Sequence, residues 1–417
     1  MIVSPSQAVR MELSPKVLWT ICGIALVSGF WQIYMFFTKW EFLLDMEVYR
    51  AGGRAFLDNQ SLYFESFNVR GVVLPFIYPP FGAAILSPFA LVSSEVAAAF
   101  VLAMSTALTF VCIYAIAQAL IANRLHAFTF ACVMWPLALL SEPHTMNASF
   151  GQINVLVMAL CVLDLVPRKR WLPQGTLIGI AAAIKLTPVA LCLFFLLRKD
   201  FRAIGWAVVS GVVVTAITAC FRLTATIEFY TDTIFKMNST SEAGVSTAYL
   251  TNQSIKGMLA RWAPSEQAAV AHQGLIDILW LVFVVIAIVA VARLMIMMFR
   301  RDMIVDAALA NAGLMLIISP ISWSHHWVWM PLFAMVLLFR WLTTAGNPVL
   351  LGICAGATWL FCLQIKPHWI FGDLNAEMFH LSILEKLVLS GYLWLMVFIV
   401  VSLFVVMRGN PAPSRVD

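Results

Sequence analysis

VLWTICGIALVSGFWQIYMFF, residues 17–37, is an uninterrupted apolar run of 21 residues. A helix of that length crosses a hydrocarbon core of roughly 30 Å. It has no small-residue cleavage site behind it, so it reads as a retained span rather than a signal peptide. Directly after it comes the polar run Lys39-Trp40-Glu41-Phe42-Leu43-Leu44-Asp45-Met46-Glu47-Val48-Tyr49-Arg50. A span followed at once by carboxylates at its outer end places Asp45 at a membrane surface, where it becomes the first candidate for chemistry.

The rest of the chain repeats this grammar. Of its 417 residues, 62% are hydrophobic and 11% charged, and the mean hydropathy is +0.90. An ordinary water-soluble domain is excluded, because its apolar fraction lies nearer one half. Period-two alternation is missing, which excludes a transmembrane barrel. The fold class is therefore an all-α polytopic membrane protein, read as one integral domain over residues 1–417 with about ten to twelve transmembrane helices. The net charge of +5 is spread over short basic loops, so no nucleic-acid surface is implied. All eight cysteines fall inside apolar stretches without a C-x-x-C pair and read as small packed hydrophobes.

Basic clusters recur at Arg124, Arg168-Lys169-Arg170, Arg198 to Arg202, Arg300-Arg301, Arg340 and Arg408. The positive-inside bias assigns them to the cytoplasm. The loops at 38–93, 142–150, 222–274, 320–326 and 365–382 then lie outside, with both termini inside. One segment departs from this alternation. Residues 175–197 have basic clusters at both ends and are interrupted by Lys185-Leu186-Thr187-Pro188. Proline disfavours continuous helix, and each half is too short to cross alone. The segment reads as a re-entrant hairpin with Lys185 near its tip, which requires a polar cavity at that depth.

Several constellations carry candidate chemistry. A helix over 45–57 puts Glu47, Arg50 and Arg54 on one face at spacings of three and four, while Asp45 points about 200° away from Glu47. Asp45 is then either a free base or the cap of a surface helix. Two carboxylates on different faces make a poor metal pair, so no metal is expected. Lys185, costly at membrane depth, faces an anionic ligand, snorkels to the interface or pairs with Asp164. In Ser322-Trp323-Ser324-His325-His326-Trp327 the adjacent histidines point apart, so one of them faces the cavity. Glu142-Pro143-His144 through Asn147, Gly151, Gln152 and Asn154 supplies amide and imidazole groups that suit hydroxyl recognition or helix capping. The second large outer loop adds Tyr230, Asn238, Tyr249, Asn252 and Trp262. No phosphate-cradling glycine loop is present.

Taken in order, the acidic loop at Asp45, Tyr78-Pro79-Pro80, Gly151-Gln152-Ile153-Asn154, Lys185-Leu186-Thr187-Pro188 and Ser322-Trp323-x-His325-His326 resemble a GT-C glycosyltransferase family. Over about residues 17 to 405 the chain looks like the polyprenol-phosphate-mannose-dependent α-1,2-mannosyltransferases of phosphatidylinositol mannoside synthesis. The resemblance implies a plasma-membrane enzyme with its site on the extracytoplasmic face. Polyprenyl phosphomannose is the implied donor, a tetramannosylated phosphatidylinositol the acceptor, and no cofactor is required. It implies inverting transfer with Asp45 as general base. Lys185, His325, His326 and Arg54 are assigned to the donor phosphate. Glu47, Tyr49, Tyr63, Tyr78, His144, Asn147 and Asn154 are assigned to sugar and acceptor contacts. Many GT-C enzymes carry a folded domain after the last span, which this chain lacks, so acceptor recognition falls to the outer loops.

Two alternatives stand beside this reading. One keeps the chemistry and changes the substrate to lipomannan or arabinofuranose. The other is a lipid-linked sugar flippase or proton-coupled transporter, which calls for paired broken helices in two halves. The sequence shows one broken segment and keeps its other polar groups mostly on one membrane face.

Overall fold

The computed structural model describes residues 13–38, 43–64, 66–167, 169–236, 246–344, 346, 348–372 and 374–409. Lys39 to Phe42, Arg168 and Asn238 lie outside the described residues. The chain is helical almost throughout. After α1 (Pro15–Thr38), the first outer loop folds into α2 (Leu44–Leu57), a two-stranded antiparallel hairpin of β1 (Phe67–Val69) and β2 (Val72–Leu74), and α3 (Pro80–Leu86). Then come α4 (Ser94–Leu120), α5 (Arg124–Leu140), α6 (Glu142–Phe150), α7 (Asn154–Leu165), α8 (Thr176–Ile184), α9 (Cys192–Leu197) and α10 (Phe201–Glu228). The second outer region holds α11 (Ile234–Lys236), α12 (Ile255–Arg261) and α13 (Glu266–Ala271). The chain closes with α14 (Gln273–Phe299), α15 (Ile304–Ile318), α16 (Met330–Thr343), α17 (Val349–Leu360), α18 (Ile383–Leu389) and α19 (Gly391–Gly409).

Six described helical segments are long and apolar enough to cross a membrane, or seven if α5 and α6, bent by 64° at Ser141, count as one. This is a multi-pass membrane protein. Other stretches with span-like sequence form shorter apolar helices, among them α7, α15 and the pieces around residues 187–197. Much of α1, α10 and α14 is exposed despite being apolar, which places these helices against lipid, whereas α15 is buried along nearly its whole length. Helix starts follow local chemistry. The side chains of Ser93, Asn123 and Asp200 accept the first free backbone N–H groups of α4, α5 and α10.

The re-entrant reading of 175–197 matches the geometry. The segment starts at Gly175 (φ +98°), where a Cβ would collide with the Ala203 carbonyl oxygen. Ala203 lies only six residues beyond the segment's last helical residue, Leu197, so both ends sit at one level. Between them α8 stops at Ile184, Lys185 is extended (φ −148°, ψ 124°), and a 3-10 turn over Thr187–Leu191 leads into α9. Asp164 is remote from Lys185. Its carboxylate accepts the Gly175 and Ile178 N–H groups at 2.8 and 2.9 Å, so it caps α8 at the opposite end.

The outer loop read from residue 222 begins later than the sequence suggested. Helix α10 continues through a π-turn at Phe229–Thr233 to Lys236. Arg222 sits inside it at a kink (φ −139°, ψ 54°) and is buried. Its guanidinium donates to the Ala55 and Phe56 carbonyls at 2.6 and 2.7 Å and also to the Gln60 carbonyl. The Ala55 and Phe56 oxygens belong to the negative end of α2, which a cation stabilises. Arg222 thereby anchors the surface helix to a membrane helix. Arg222→Leu removes this donor from the Phe56 and Gln60 carbonyls, at about 1–3 kcal/mol each, while the Ala55 carbonyl keeps the Gln60 N–H. A lower melting temperature in detergent is expected, with protease cleavage opening first around α2; an unchanged melt would remove the anchor.

Candidate functional site

Asp45 lies in the first turn of α2, but it does not cap the helix: the cap position is Leu43 and makes no side-chain bond. The Asp45 carboxylate instead accepts the Gln152 side-chain amide at 2.6 Å. Gln152 follows Gly151, which ends α6 with φ +69°. A Cβ at Gly151 would lie 2.8 Å from the Met46 Cβ. Glycine is thus required both for the left-handed turn and for the close approach that brings Gln152 to α2.

The other end of the same side chain is fixed by tyrosines. Tyr49 donates its hydroxyl to Gln152 Oε1 at 2.5 Å, and the Tyr78 hydroxyl lies 2.7 Å from that of Tyr49. Burial pushes the Tyr49 hydroxyl well above its usual range, so it stays protonated and remains a donor. With Oε1 occupied as an acceptor, only the amide nitrogen can face Asp45. Burial also raises the Asp45 carboxyl to about 6, and the Gln152 hydrogen bond and the charge of Lys185 oppose that rise without cancelling it. Near neutral pH Asp45 is then mostly ionised and able to accept a proton.

Lys185 stands at the tip of the re-entrant segment. Its ammonium donates to Asn154 Oδ1 at 2.8 Å and meets His326 Nε2 at 3.0 Å. Both partners are neutral, and Lys185 makes no ion pair among the described residues. An ammonium can only donate, so Nε2 accepts and the ring hydrogen of His326 sits on Nδ1. Two of three N–H donors are used, and one remains for a ligand. The Nζ also lies 5.6 Å from the centre of the Tyr78 ring. Asn154 ties the halves together, because its Nδ2 reaches Asn147 Oδ1, Gln152 Oε1 and the His325 carbonyl at 3.1–3.3 Å.

Lys185, Asn154 and His326 border a cavity whose other walls include Val157, Met315, Leu316 and Trp329. Its free volume is about 30 Å³, enough to admit a water. Its lining combines a cation and polar groups with apolar side chains.

Not every residue singled out in the sequence converges here. Arg54 lies on the other face of α2, donates to the Ala90 carbonyl at 3.0 Å and lines a separate cavity with Glu47 and Arg50. Glu47 pairs with Arg50 at 2.8 Å. His325 packs its ring on Phe150 at 5.2 Å, so of the two histidines it is His326 that meets Lys185. Tyr63 supports the Tyr78 carbonyl at 2.8 Å, and His144 bonds Ser141 at 3.0 Å. Among the described residues no three His, Cys, Asp or Glu side chains gather into a metal-sized group.

Two important residues carried no assigned role in the sequence. Gln152 is the hub between Asp45 and Asn154; it was visible only as part of the Gly151-Gln152-Ile153-Asn154 motif. Glu142 is fully buried and accepts Ser324 Oγ at 2.8 Å and the Tyr392 hydroxyl at 2.9 Å, with His368 Nε2 at 3.1 Å. It locks the turn Ser324–Trp327 that carries His326. From the opposite flank, the Ser322 N–H donates to Asn252 Oδ1 at 2.9 Å and the Ser322 carbonyl accepts the Gln253 N–H at 2.8 Å.

The profile of glycosyltransferase family 87 matches residues 76–320, a stretch that takes in Tyr78, Gln152, Asn154 and Lys185 but not Asp45 or His326. The chain is 33% identical over 349 residues to a polyprenol-phosphate-mannose-dependent α-(1-2)-phosphatidylinositol mannoside mannosyltransferase of Mycolicibacterium smegmatis, covering 76% of this chain and 75% of the relative. A Mycobacterium tuberculosis protein of the same description is 31% identical over 345 residues, covering 78% and 76%. A polyprenol-phosphate-mannose-dependent α-(1-2)-phosphatidylinositol pentamannoside mannosyltransferase of M. tuberculosis is 28% identical over 358 residues, again covering 78% and 76%.

The Asp45–Gln152 bond makes a direct prediction for titration. Infrared difference spectra should show a protonated carboxyl band that vanishes in Asp45→Asn and titrates near pH 6 in the parent. In Gln152→Leu the bond that favours the carboxylate is gone, so the midpoint moves to higher pH. A midpoint that stays put would show that Gln152 does not tune Asp45.

Proposed function

The chain belongs to glycosyltransferase family 87, and from that premise we propose that it transfers mannose from polyprenyl phosphomannose to a tetramannosylated phosphatidylinositol, forming an α-1,2 linkage. The observation that carries this reading is the single constellation of a proton acceptor, Asp45, and a cation without a carboxylate partner, Lys185, at one polar end of the helical bundle. The donor and acceptor classes are those in the names of its relatives. The choice of a tetramannoside, the extracytoplasmic face of the plasma membrane and the residue roles are part of the proposal.

In the proposed step the acceptor 2-hydroxyl oxygen attacks the anomeric carbon of the β-linked mannosyl phosphate from the opposite face. Its proton passes to Asp45 as the new C–O bond forms and the anomeric configuration inverts. The bond to the phosphate oxygen breaks, and its electron pair leaves with the polyprenyl phosphate. Negative charge grows on that phosphate, where the remaining N–H of Lys185 stabilises it in a water-poor site. His326 orients the ammonium by accepting from it, while the Tyr49 and Tyr78 hydroxyls hold Gln152 and through it the base. The apolar wall of Met315 and Leu316 suits the first isoprene units.

The reading is tested with full-length protein in nanodiscs, labelled polyprenyl phosphomannose and a tetramannosylated lipid. Transfer is expected in the parent and a drop of about 10²–10⁴-fold in Asp45→Asn, with the folded state checked by melting. Product formed only with lipomannan, or only from an arabinofuranosyl donor, would move the substrate and leave the base in place. Asp45 accepts a proton only when ionised, so the rate rises as pH climbs through about 6 and levels off above it. A profile flat through that region would remove Asp45 as the base. Lys185→Met should raise the donor KM and lower kcat, and an unchanged donor response would sink its phosphate role. EDTA should leave the rate unaltered, whereas a loss restored by a divalent ion would call for a metal at Asp45.

A further inference from the structure

Three side chains from distant parts of the chain close on the buried Glu142 carboxylate. Ser324 Oγ and His368 Nε2 meet its Oε1 at 2.8 and 3.1 Å, and the Tyr392 hydroxyl donates to Oε2 at 2.9 Å. A carboxylate can only accept, so His368 carries its ring hydrogen on Nε2. Buried charge persists where donors surround it in this way. Ser324 lies in the turn that bears His326, whereas His368 comes from the segment between α17 and α18 and Tyr392 from the start of α19. The backbone is shaped to deliver them. After a π-turn at Phe361–Ile365, Lys366 takes a left-handed conformation (φ +45°), which a residue with a Cβ keeps only when its surroundings hold it there. Pro367 then packs so closely on α19 that a Cβ at Gly391 would collide with its ring. The centres of the His368 and Tyr392 rings come to lie 5.1 Å apart.

Tyr392 also reaches the other flank of the turn. Its N–H donates to Gln253 Oε1 at 3.1 Å, and the Gln253 N–H donates to the Ser322 carbonyl at 2.8 Å. One residue therefore grips the approach to His326 twice: its hydroxyl through Glu142 to Ser324, and its backbone through Gln253 to Ser322. We infer that His368 and Tyr392 are positioning residues for the Lys185–His326 pair, acting through Glu142 and Ser324 rather than on a ligand. The coupling follows from the bonds on the turn. Lys185 is oriented by His326 Nε2 at 3.0 Å and by Asn154 Oδ1 at 2.8 Å, and Asn154 Nδ2 in turn donates to the His325 carbonyl at 3.1 Å. Both partners of the ammonium thus depend on residues 325 and 326, which follow Ser324 directly. Without its donors the Glu142 carboxylate is buried and underbonded, Ser324 loses a fixed anchor, and the free N–H of Lys185 changes direction. The inference rests on the proposed transfer only for its kinetic consequence, a poorer grip on the donor phosphate.

The test has one arm at the site and one in turnover. Full-length protein with isotope-labelled histidine in nanodiscs gives nitrogen NMR resonances, and that of His326 Nε2 is assigned by its absence in His326→Gln. It is expected to move in His368→Leu, which deletes a donor, and in Tyr392→Phe, which deletes one oxygen and keeps the ring. His368→Gln restores an N–H near the position of Nε2 and should return the resonance toward its parent value. In turnover, His368→Leu and Tyr392→Phe are expected to raise the donor KM and to lower kcat by up to about 10²-fold, the cost of small misplacements at a reacting centre. The acceptor KM stays as in the parent, and His368→Gln recovers the donor response. A purely structural loss reduces only the active fraction, which lowers the apparent kcat and leaves both KM values in place; that outcome in the folded variants would overturn the inference. So would a His326 resonance unmoved in both. If His368→Leu fails to fold, Tyr392→Phe decides alone. If the parent transfers no mannose, the proposed reaction fails while the resonance still decides the positioning.

Discussion

An ammonium buried beside neutral partners is the constraint from which the rest of the site follows. Lys185 is held by an amide oxygen and an imidazole nitrogen, which orient its charge without cancelling it. A cation removed from water without a direct ion pair is expensive, and the Asp45 carboxylate offsets that cost only through space. The broken helix exists to put it there. Continuous α-helix through residue 185 would hide the backbone break that lets the chain turn, and Pro188 in the following 3-10 turn prevents such continuity. Asp164 secures the hairpin from its other end by capping α8.

The proposed base is supported by an equally indirect route. Asp45 sits on a surface helix whose apolar face, with Met46, Val48 and Tyr49, is buried against its neighbours, so α2 depends on them for position. Arg222 holds its carboxyl-terminal carbonyls from a membrane helix, and the close approach at Gly151 brings Gln152 against its first turn. Gln152 then links base and cation through Asn154. The amide orientation is decided by the tyrosine hydroxyls, which can donate to Oε1 and leave only Nε2 for Asp45. A buried hydrogen-bond chain of this kind holds its members in one arrangement because any slip leaves a polar group unsatisfied. The turn bearing His326 is fixed in the same way by Glu142 on one flank and Asn252 with Gln253 on the other.

The two faces of α2 divide the polar chemistry. Spacing along a helix separates Asp45 from Glu47 by direction rather than by distance, and the structure carries that division into two cavities with different walls. One is small and partly lined by apolar side chains; the other is larger and rich in arginine.

Hydropathy alone determined that this chain is a helical membrane protein, because apolar runs of this length without period-two alternation have no other stable form in lipid. The surface helix around Asp45, the opposition of Asp45 to Glu47 and the re-entrant break at Lys185 were legible for the same reason: each depends on local spacing, proline and charge. Long-range partners were not. Nothing near Gln152 in sequence shows that it meets a carboxylate 107 residues away, and Arg222 reads as a loop residue until the kinked helix carries it beneath α2. That His326 rather than His325 meets Lys185, that Arg54 lines a different cavity from Lys185 and that Glu142 is buried also came only from the tertiary structure. These depend on which helix faces pack together, and packing is set by contacts between segments far apart in the chain, which no local pattern records.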